Sequence, residues 1–394
     1  MRNKALLFFF LVLVGWSVLS AGEECTTAII SGRASTGGVP LLWKNRDTGH
    51  AFNKVIFVKE SPYSYLALVN HDETSGRNVY AGVNSAGFAI INSMAYNLPQ
   101  DPGESRDLEG IIMADALRKC RTVDDFERYI RKNLGPSLGS RSNFGVIDAR
   151  GGSALFEVHN HGYKRFDAEE FPGKYMVSTN FSRSGKPYGG YGYLRFERAL
   201  QLFQRAERIS PFYILQTVAR DVGNALVKIP PRNRWSSLSP ERPFWIYTND
   251  SIDRASTASA VVFQGVRKGE DPSLSLMWVI LGEPLTSIAI PLWVKSGGVP
   301  GLLWDGDLSP IDREAMRIKK LLRPLKGGSR PHYLDLTRLD NKRDSGWLPI
   351  ILKKEAEIFT ATEKFLEKPH TSREFFEFEV KISREVYRTL KSIR

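Results

Sequence analysis

The sequence is poor in the side chains that most enzymes use to hold metals or to run acid–base chemistry, with 2 cysteines and 6 histidines in 394 residues. It contains no CxxC pair, HExxH helix, P-loop or GxSxG elbow, and no glycine fingerprint opens a helix after a strand. These absences exclude thioredoxin-type redox sites, zincin proteases, P-loop NTPases, α/β-hydrolase esterases and Rossmann dinucleotide enzymes. His159 and His161 stand one residue apart with no third ligand nearby in sequence. They read as surface or packing residues, and neither a metal nor an organic cofactor is expected. Repeat periods and low-complexity linkers are also absent, which argues for one domain rather than an array.

Long apolar runs are missing too, with one exception at the amino end. Arg2 and Lys4 precede an apolar stretch from Ala5 to Leu19, and Ser20-Ala21-Gly22 supplies small residues for a cleavage after Gly22. The stretch is shorter than the roughly 20 residues of a spanning helix. Residues 1–22 therefore read as an export signal rather than an anchor, and the chain is expected in a periplasmic or extracellular space. Glu23 and Glu24 separate the small residues from Cys25, which disfavours a lipoprotein.

What is present fits a folded protein with a sizeable core: 42% hydrophobic residues and 11% aromatics. The net charge is +12, and residues 311–394 hold 20 Lys and Arg against 13 Asp and Glu. The signs are mixed there, as in Lys353-Lys354-Glu355, so the segment reads as solvated helix faces. No zinc-finger, RRM or KH signature accompanies the charge, and no nucleic-acid partner is expected.

Period-two runs predict strands at 27–30, 39–43, 54–58, 65–69, 88–92, 144–148, 153–158, 175–179, 258–264 and 274–281. Residues 108–133 read as two helices, the second opened by a capping box of Thr122 and Asp125. Tyr193–Arg208 is amphipathic, and 309–394 is mostly helical. Strand groups separated by helical blocks are not the βαβ alternation of a doubly wound fold; two packed sheets with helices outside fit better.

Cys25 opens the first strand. As residue one of a trimmed chain it could use its own α-amine, of pKa about 7.7–8.0, as the base that takes the thiol proton. That arrangement needs no histidine. It needs a carboxylate to orient the amine and donors for an oxyanion. A hairpin starting at Cys25 returns Lys44-Asn45-Arg46-Asp47 to its side. Cys120 falls in an apolar helical pattern and reads as a buried thiol, with a Cys25–Cys120 disulfide as the alternative.

Cys25-Thr26-Thr27 followed by Lys44-Asn45-Arg46-Asp47 resembles the opening of the choloylglycine hydrolase and penicillin V acylase group of N-terminal-nucleophile hydrolases. It is similar as well to the acyl-CoA:6-aminopenicillanate acyltransferase relatives. The resemblance continues through Gly82–Phe88, Asn92, Asn143-Phe144, Ser178-Thr179-Asn180, Asp253–Thr257, Leu276-Met277-Trp278 and Pro291-Leu292-Trp293. It spans roughly residues 25 to 295, with the basic helical part outside it.

The resemblance implies an α+β fold, a four-layer αββα sandwich over 25–394 with a helical C-terminal extension at 309–394. It implies hydrolysis of a non-peptide linear amide through a thioester, after residues 23–24 are removed as a short propeptide. By position, Cys25 is the nucleophile, Asp47 orients the α-amine, Asn180 and Asn92 form the oxyanion hole, and Arg254 gives electrostatic support. The family pattern Arg-Asn-X-Asp is altered here, so the cation is either Lys44 or Arg46. Strand alternation puts those two on one face and Asp47 on the other unless a bulge intervenes.

Read without the resemblance, Asp47 is also a turn residue before Thr48-Gly49, Asn180 an Asx-turn former, and Arg254 a surface arginine. Three other functions stay open: an acyltransferase, a non-catalytic secreted binding protein, and a polyanion binder. The expected partner is a small N-acyl amide held between the loops Tyr96–Gly103 and Gly185–Tyr193. No stable membrane anchor is expected, and self-association is left open.

Overall fold

The computed structural model describes residues 24–103, 106–305 and 308–394. The expected signal at 1–22, its cleavage after Gly22, and Glu23 lie outside the described residues.

Two antiparallel sheets are stacked face to face. The first contains β1 (Glu24–Ile30), β2 (Leu41–Asp47), β10 (Tyr175–Ser178), β12 (Thr257–Gln264), β13 (Leu276–Leu281) and β14 (Ile290–Trp293), in the order β10-β1-β2-β12-β13-β14. The second is a meander of β3 (Asn53–Val58), β4 (Tyr65–Asn70), β5 (Ala81–Asn84), β6 (Ala89–Met94), β7 (Arg141–Ile147), β8 (Ser153–His159) and β9 (Gly162–Asp167). β11 (Trp245–Tyr247) and β15 (Tyr333–Asp335) form a separate two-stranded ribbon. Pro291, which cannot donate to a ladder, lies in β14 at the sheet edge, where one side of the strand is unpaired.

The stacking follows from strand alternation. A side chain on Gly145 of β7 would meet Ile29 and Leu42 of the first sheet at 3.0 Å, so the glycine leaves the room in which those two side chains pack. Ile29 and Leu42 therefore face the second sheet. Their neighbours Ala28 and Trp43 face the other way, and the Trp43 ring meets Phe203 of α3 (Tyr193–Phe203) edge-on at 6.0 Å. The outer face of the second sheet is covered by α1 (Glu109–Lys119) and α2 (Val123–Asn133). There Phe126 packs on Phe144 and Phe156 with ring centroids 5.7 and 5.2 Å apart. The layers thus run helix, sheet, sheet, helix. Thr122 and Asp125 close the capping box of α2.

The C-terminal helices Pro310–Leu322, Leu348–Leu366 and Ser372–Ser392 are an integral layer rather than an appendage. Phe359 stacks on Trp278 at 4.0 Å, Phe375 meets Trp293 at 5.0 Å, and Glu379 accepts a bond from the Trp293 backbone N at 2.8 Å. The fully buried Arg220–Glu355 pair at 2.8 Å ties the second of these helices to the turn that follows the helical segment Ile214–Val218. A layer that covers the outer face of the first sheet must be counted with the sandwich, although its sequence reads as a separate basic segment.

Candidate active site

The site lies where β1 and β2 run out together. Their register places Glu24 opposite Asp47, Cys25 opposite Arg46 and Thr26 opposite Asn45, with no bulge between the two strands. Directly opposed residues share a face. Cys25, Lys44 and Arg46 accordingly face the second sheet, while Glu24, Thr26, Asn45 and Asp47 face the helices.

On the helix side, Asp47 is fully buried. Its Oδ2 accepts from Arg254 Nε at 2.8 Å and its Oδ1 from Thr257 Oγ1 at 2.6 Å. The Thr257 hydroxyl in turn accepts from the Arg254 backbone N at 3.0 Å, which folds the 254–257 turn around the carboxylate. β12 carries its irregularity here, between Thr257 and Ser259, and so re-aims Thr257 at Asp47. Arg254 also donates to Glu24 Oε2 at 2.5 Å and to the Asn249 carbonyl at 2.9 Å. Burial works against its charge, but Asp47 and Glu24 outweigh burial and hold it well above the usual guanidinium value.

Asn180 follows β10, the neighbour of β1. Its Oδ1 accepts from the Cys25 backbone N at 3.1 Å and from Arg195 Nη2 at 2.9 Å, and its Nδ2 donates to the Met94 carbonyl at 3.1 Å. Asn180 thus orients the Cys25 nitrogen, and one of the two N–H bonds of its own amide goes to the Met94 carbonyl. Asn92 lies in the second sheet, where its Oδ1 accepts from Lys44 Nζ at 2.7 Å.

The two cations on the Cys25 face differ in reach. Arg46, directly across from Cys25, extends to Asn53 Oδ1 and Asn70 Oδ1 at 2.7 and 2.8 Å and lies over the Tyr80 ring at 3.5 Å. Lys44, one step along the strand, reaches Asn92 and the Tyr80 carbonyl, the latter at 2.9 Å. Lys44 is thus bonded to an expected site residue, Asn92.

Sequence reasoning missed Arg195. It donates through Nη1 to the Cys25 carbonyl at 2.8 Å and Thr26 Oγ1 at 3.0 Å, through Nη2 to Glu24 Oε2 at 3.0 Å, and lies 3.9 Å from Asp47. Burial, then the nearby Arg254, pulls its guanidinium down to about 10. A signal was present: Arg195, Ala199, Leu202 and Phe203 form the buried stripe of α3, so a charged residue occupies an apolar register.

The loops expected to hold the substrate meet at Asn180, whose carbonyl accepts from Tyr96 N at 3.3 Å and from Tyr191 N at 3.2 Å. The Tyr96 and Tyr191 rings contact edge-on at 5.2 Å. Gly190 has φ +86°, and a Cβ there would lie 2.7 Å from the Asn180 carbonyl. Glycine is required by both conformation and space.

Cys25 and Cys120 are not bridged. Cys120 ends α1 in the core outside the second sheet, where burial, then Asp125, pushes its thiol up to about 12. A thiol so raised is inert as a nucleophile at neutral pH. His161 bonds Asp101 at 2.8 Å at the surface. Among the described residues no cluster of His, Cys, Asp and Glu could hold a metal, and no helix is long and apolar enough to cross a membrane.

No family model and no curated protein matches the chain. Solved structures do. A Caenorhabditis elegans ortholog of N-acylethanolamine-hydrolyzing acid amidase is similar at 14% identity and TM-score 0.37, over 64% of this chain and 94% of that one. Penicillin V acylase from Agrobacterium tumefaciens is similar at 16% and 0.40, over 68% and 85%. A mutant of conjugated bile acid hydrolase from Clostridium perfringens is similar at 12% and 0.40, over 68% and 92%.

Proposed function

We propose that the chain is an exported N-terminal-cysteine amidohydrolase that cleaves a linear N-acyl amide through a thioester on Cys25. The observation that carries this reading is the hold of Asn180 on the Cys25 backbone nitrogen, with charged residues from distant parts of the chain gathered at the same strand end. Cys25 N is held by Asn180 Oδ1, the Cys25 carbonyl by Arg195, and the opposing strand end carries Asp47 inside a cage of Arg254 and Thr257. A side-chain acceptor on the Cys25 nitrogen supports a mechanism that uses the α-amine as base.

Once residues before Cys25 are removed, the amine accepts the thiol proton and the thiolate attacks the amide carbonyl. The side-chain amides of Asn180 and Asn92 are the donors assigned to the oxyanion. The ammonium then protonates the leaving amine, and water, deprotonated by the same amine, hydrolyses the thioester. The aromatic rim of Tyr96 and Tyr191 beside Asn180 suits an apolar acyl group.

Hydrolysis of a panel of N-acyl amines, bile-salt conjugates, penicillin V and acyl-homoserine lactones tests this. Cys25→Ser is expected to lose at least about 10²-fold in kcat/KM on whichever amide the native chain cleaves. Equal activity in that variant sinks the mechanism.

A further inference from the structure

Glu24 is the residue that must leave for Cys25 to gain an amine, yet its side chain is clamped by two cations. Its Oε2 receives Arg254 Nη2 at 2.5 Å and Arg195 Nη2 at 3.0 Å. Burial raises its carboxyl, but Arg254 and then Arg195 outweigh burial and hold it below the usual range. Both guanidiniums are almost wholly buried, at 7% and 2% side-chain exposure, and Asp47 beneath them is at 0%. Glu24 is the outermost of the four at 31%. Two cations and two carboxylates balance.

We propose that Glu24 is a positioning residue for the chain's own maturation. This rests on the reading of Cys25 as the terminal nucleophile. The Glu24–Cys25 peptide bond is fixed on both sides. On the acyl side the Glu24 carboxylate is clamped by two arginines. On the amine side Asn180 holds the Cys25 nitrogen at 3.1 Å and Arg195 holds the Cys25 carbonyl at 2.8 Å. A peptide held this way cannot swing away from an attack by the adjacent sulfur, and misplacement by about an ångström would cost about 10²-fold in rate.

In the step itself, Cys25 Sγ forms a bond to the Glu24 carbonyl carbon and the thiol proton passes to the Cys25 nitrogen. The carbon–nitrogen bond breaks, leaving Glu24 as a thioester on sulfur and the nitrogen as a neutral primary amine. Water then attacks the thioester. Its hydroxyl goes to the Glu24 acyl group, its proton returns to sulfur, and the segment ending in Glu24 leaves as a carboxylic acid.

The test uses the full chain, followed by intact mass as it converts to a product beginning at Cys25. Native chain, Glu24→Gln, Glu24→Ala and Cys25→Ala are compared. The native chain is expected to convert and Cys25→Ala to remain uncut. Glu24→Gln and Glu24→Ala are expected to slow by about 10- to 100-fold, and added propionate is expected to restore part of the Glu24→Ala rate by refilling the clamp. Whatever product forms from the native and Glu24→Ala chains is the same molecule, so its kcat and KM must be identical; a folding defect would instead lower the Tm of Glu24→Ala/Cys25→Ala below that of Cys25→Ala. Conversion of Glu24→Ala at the native rate overturns the role of Glu24 and leaves the nucleophile reading standing. Trimming of Cys25→Ala at the native rate overturns self-cleavage. A native active chain that never begins at Cys25 removes the underlying reading as well.

Discussion

Around the Cys25 nitrogen the side chains are paired so closely that each substitution has a definite electrostatic consequence. Removing Arg254 leaves Asp47, which is fully buried, without the partner at 2.8 Å. Breaking a buried pair from one side costs about 3–5 kcal/mol, so Arg254→Leu should lower chemical-denaturation stability by that order and abolish turnover together. Arg195→Lys is a milder probe. A lysine cannot span the Cys25 carbonyl, Thr26, Glu24 and Asn180 with one rigid fork. The variant should stay folded and lose kcat by roughly 10-fold or more with little change in KM, since Arg195 holds the backbone of Cys25, the proposed nucleophile. Cys25, Asp47, Asn180, Asn92, Lys44 and Arg254 are all legible as candidates because they stand in recognisable local patterns. Arg195 is harder to single out: it shares a helical face with Ala199, Leu202 and Phe203, but the neighbouring Leu194 and Leu200 stand off that face and blur the edge of the apolar stripe.

Elements position these residues, and two of them carry separate expectations. The 181–192 loop turns at Gly190, where φ is positive and a side chain would collide with the Asn180 carbonyl. Gly190→Ala should cost about 1–3 kcal/mol and raise KM, because the same carbonyl organises Tyr96 and Tyr191. The Pro310–Leu322 helix contributes Asp312, fully buried, whose Oδ2 accepts from Asn53 N at 2.6 Å. Burial, only partly offset by Asn53 and Lys319, pushes this carboxyl up to about 7. A carboxyl raised above its unfolded value binds more protons folded than unfolded. Its contribution to stability is full below about pH 4 and is lost as pH rises through about 7. Asp312→Asn should flatten the stability–pH curve across that window, as urea denaturation at several pH values would show. Strand alternation and the capping box are readable because they are local. β5 and β9 are not readable as strands: Gly82 interrupts the first, and the second lies at the sheet edge with a mostly half-buried face. The helix opening at Tyr193 stops at Phe203 rather than running to Arg208.

At the scale of the whole molecule, the sandwich is closed by helices that the sequence presents as a basic tail. Their buried stripes are interrupted by Glu355, Glu379 and Ser383 and their charges are mixed, and contacts such as those of Phe359 and Phe375 with Trp278 and Trp293 reveal them as a covering layer. A chain ending before Leu348 would uncover both tryptophans and remove Glu355, the buried partner of Arg220. It should be recovered aggregated rather than as a smaller active enzyme, which size-exclusion chromatography would decide. Intact behind that layer, the first sheet holds Cys25 at a strand end where trimming would make it a terminus. The most direct measurement of the account is the intact mass of the active protein. A chain whose first residue is Cys25 is expected, with activity rising as that species accumulates; full activity in a chain that still carries Glu24 would contradict the α-amine mechanism.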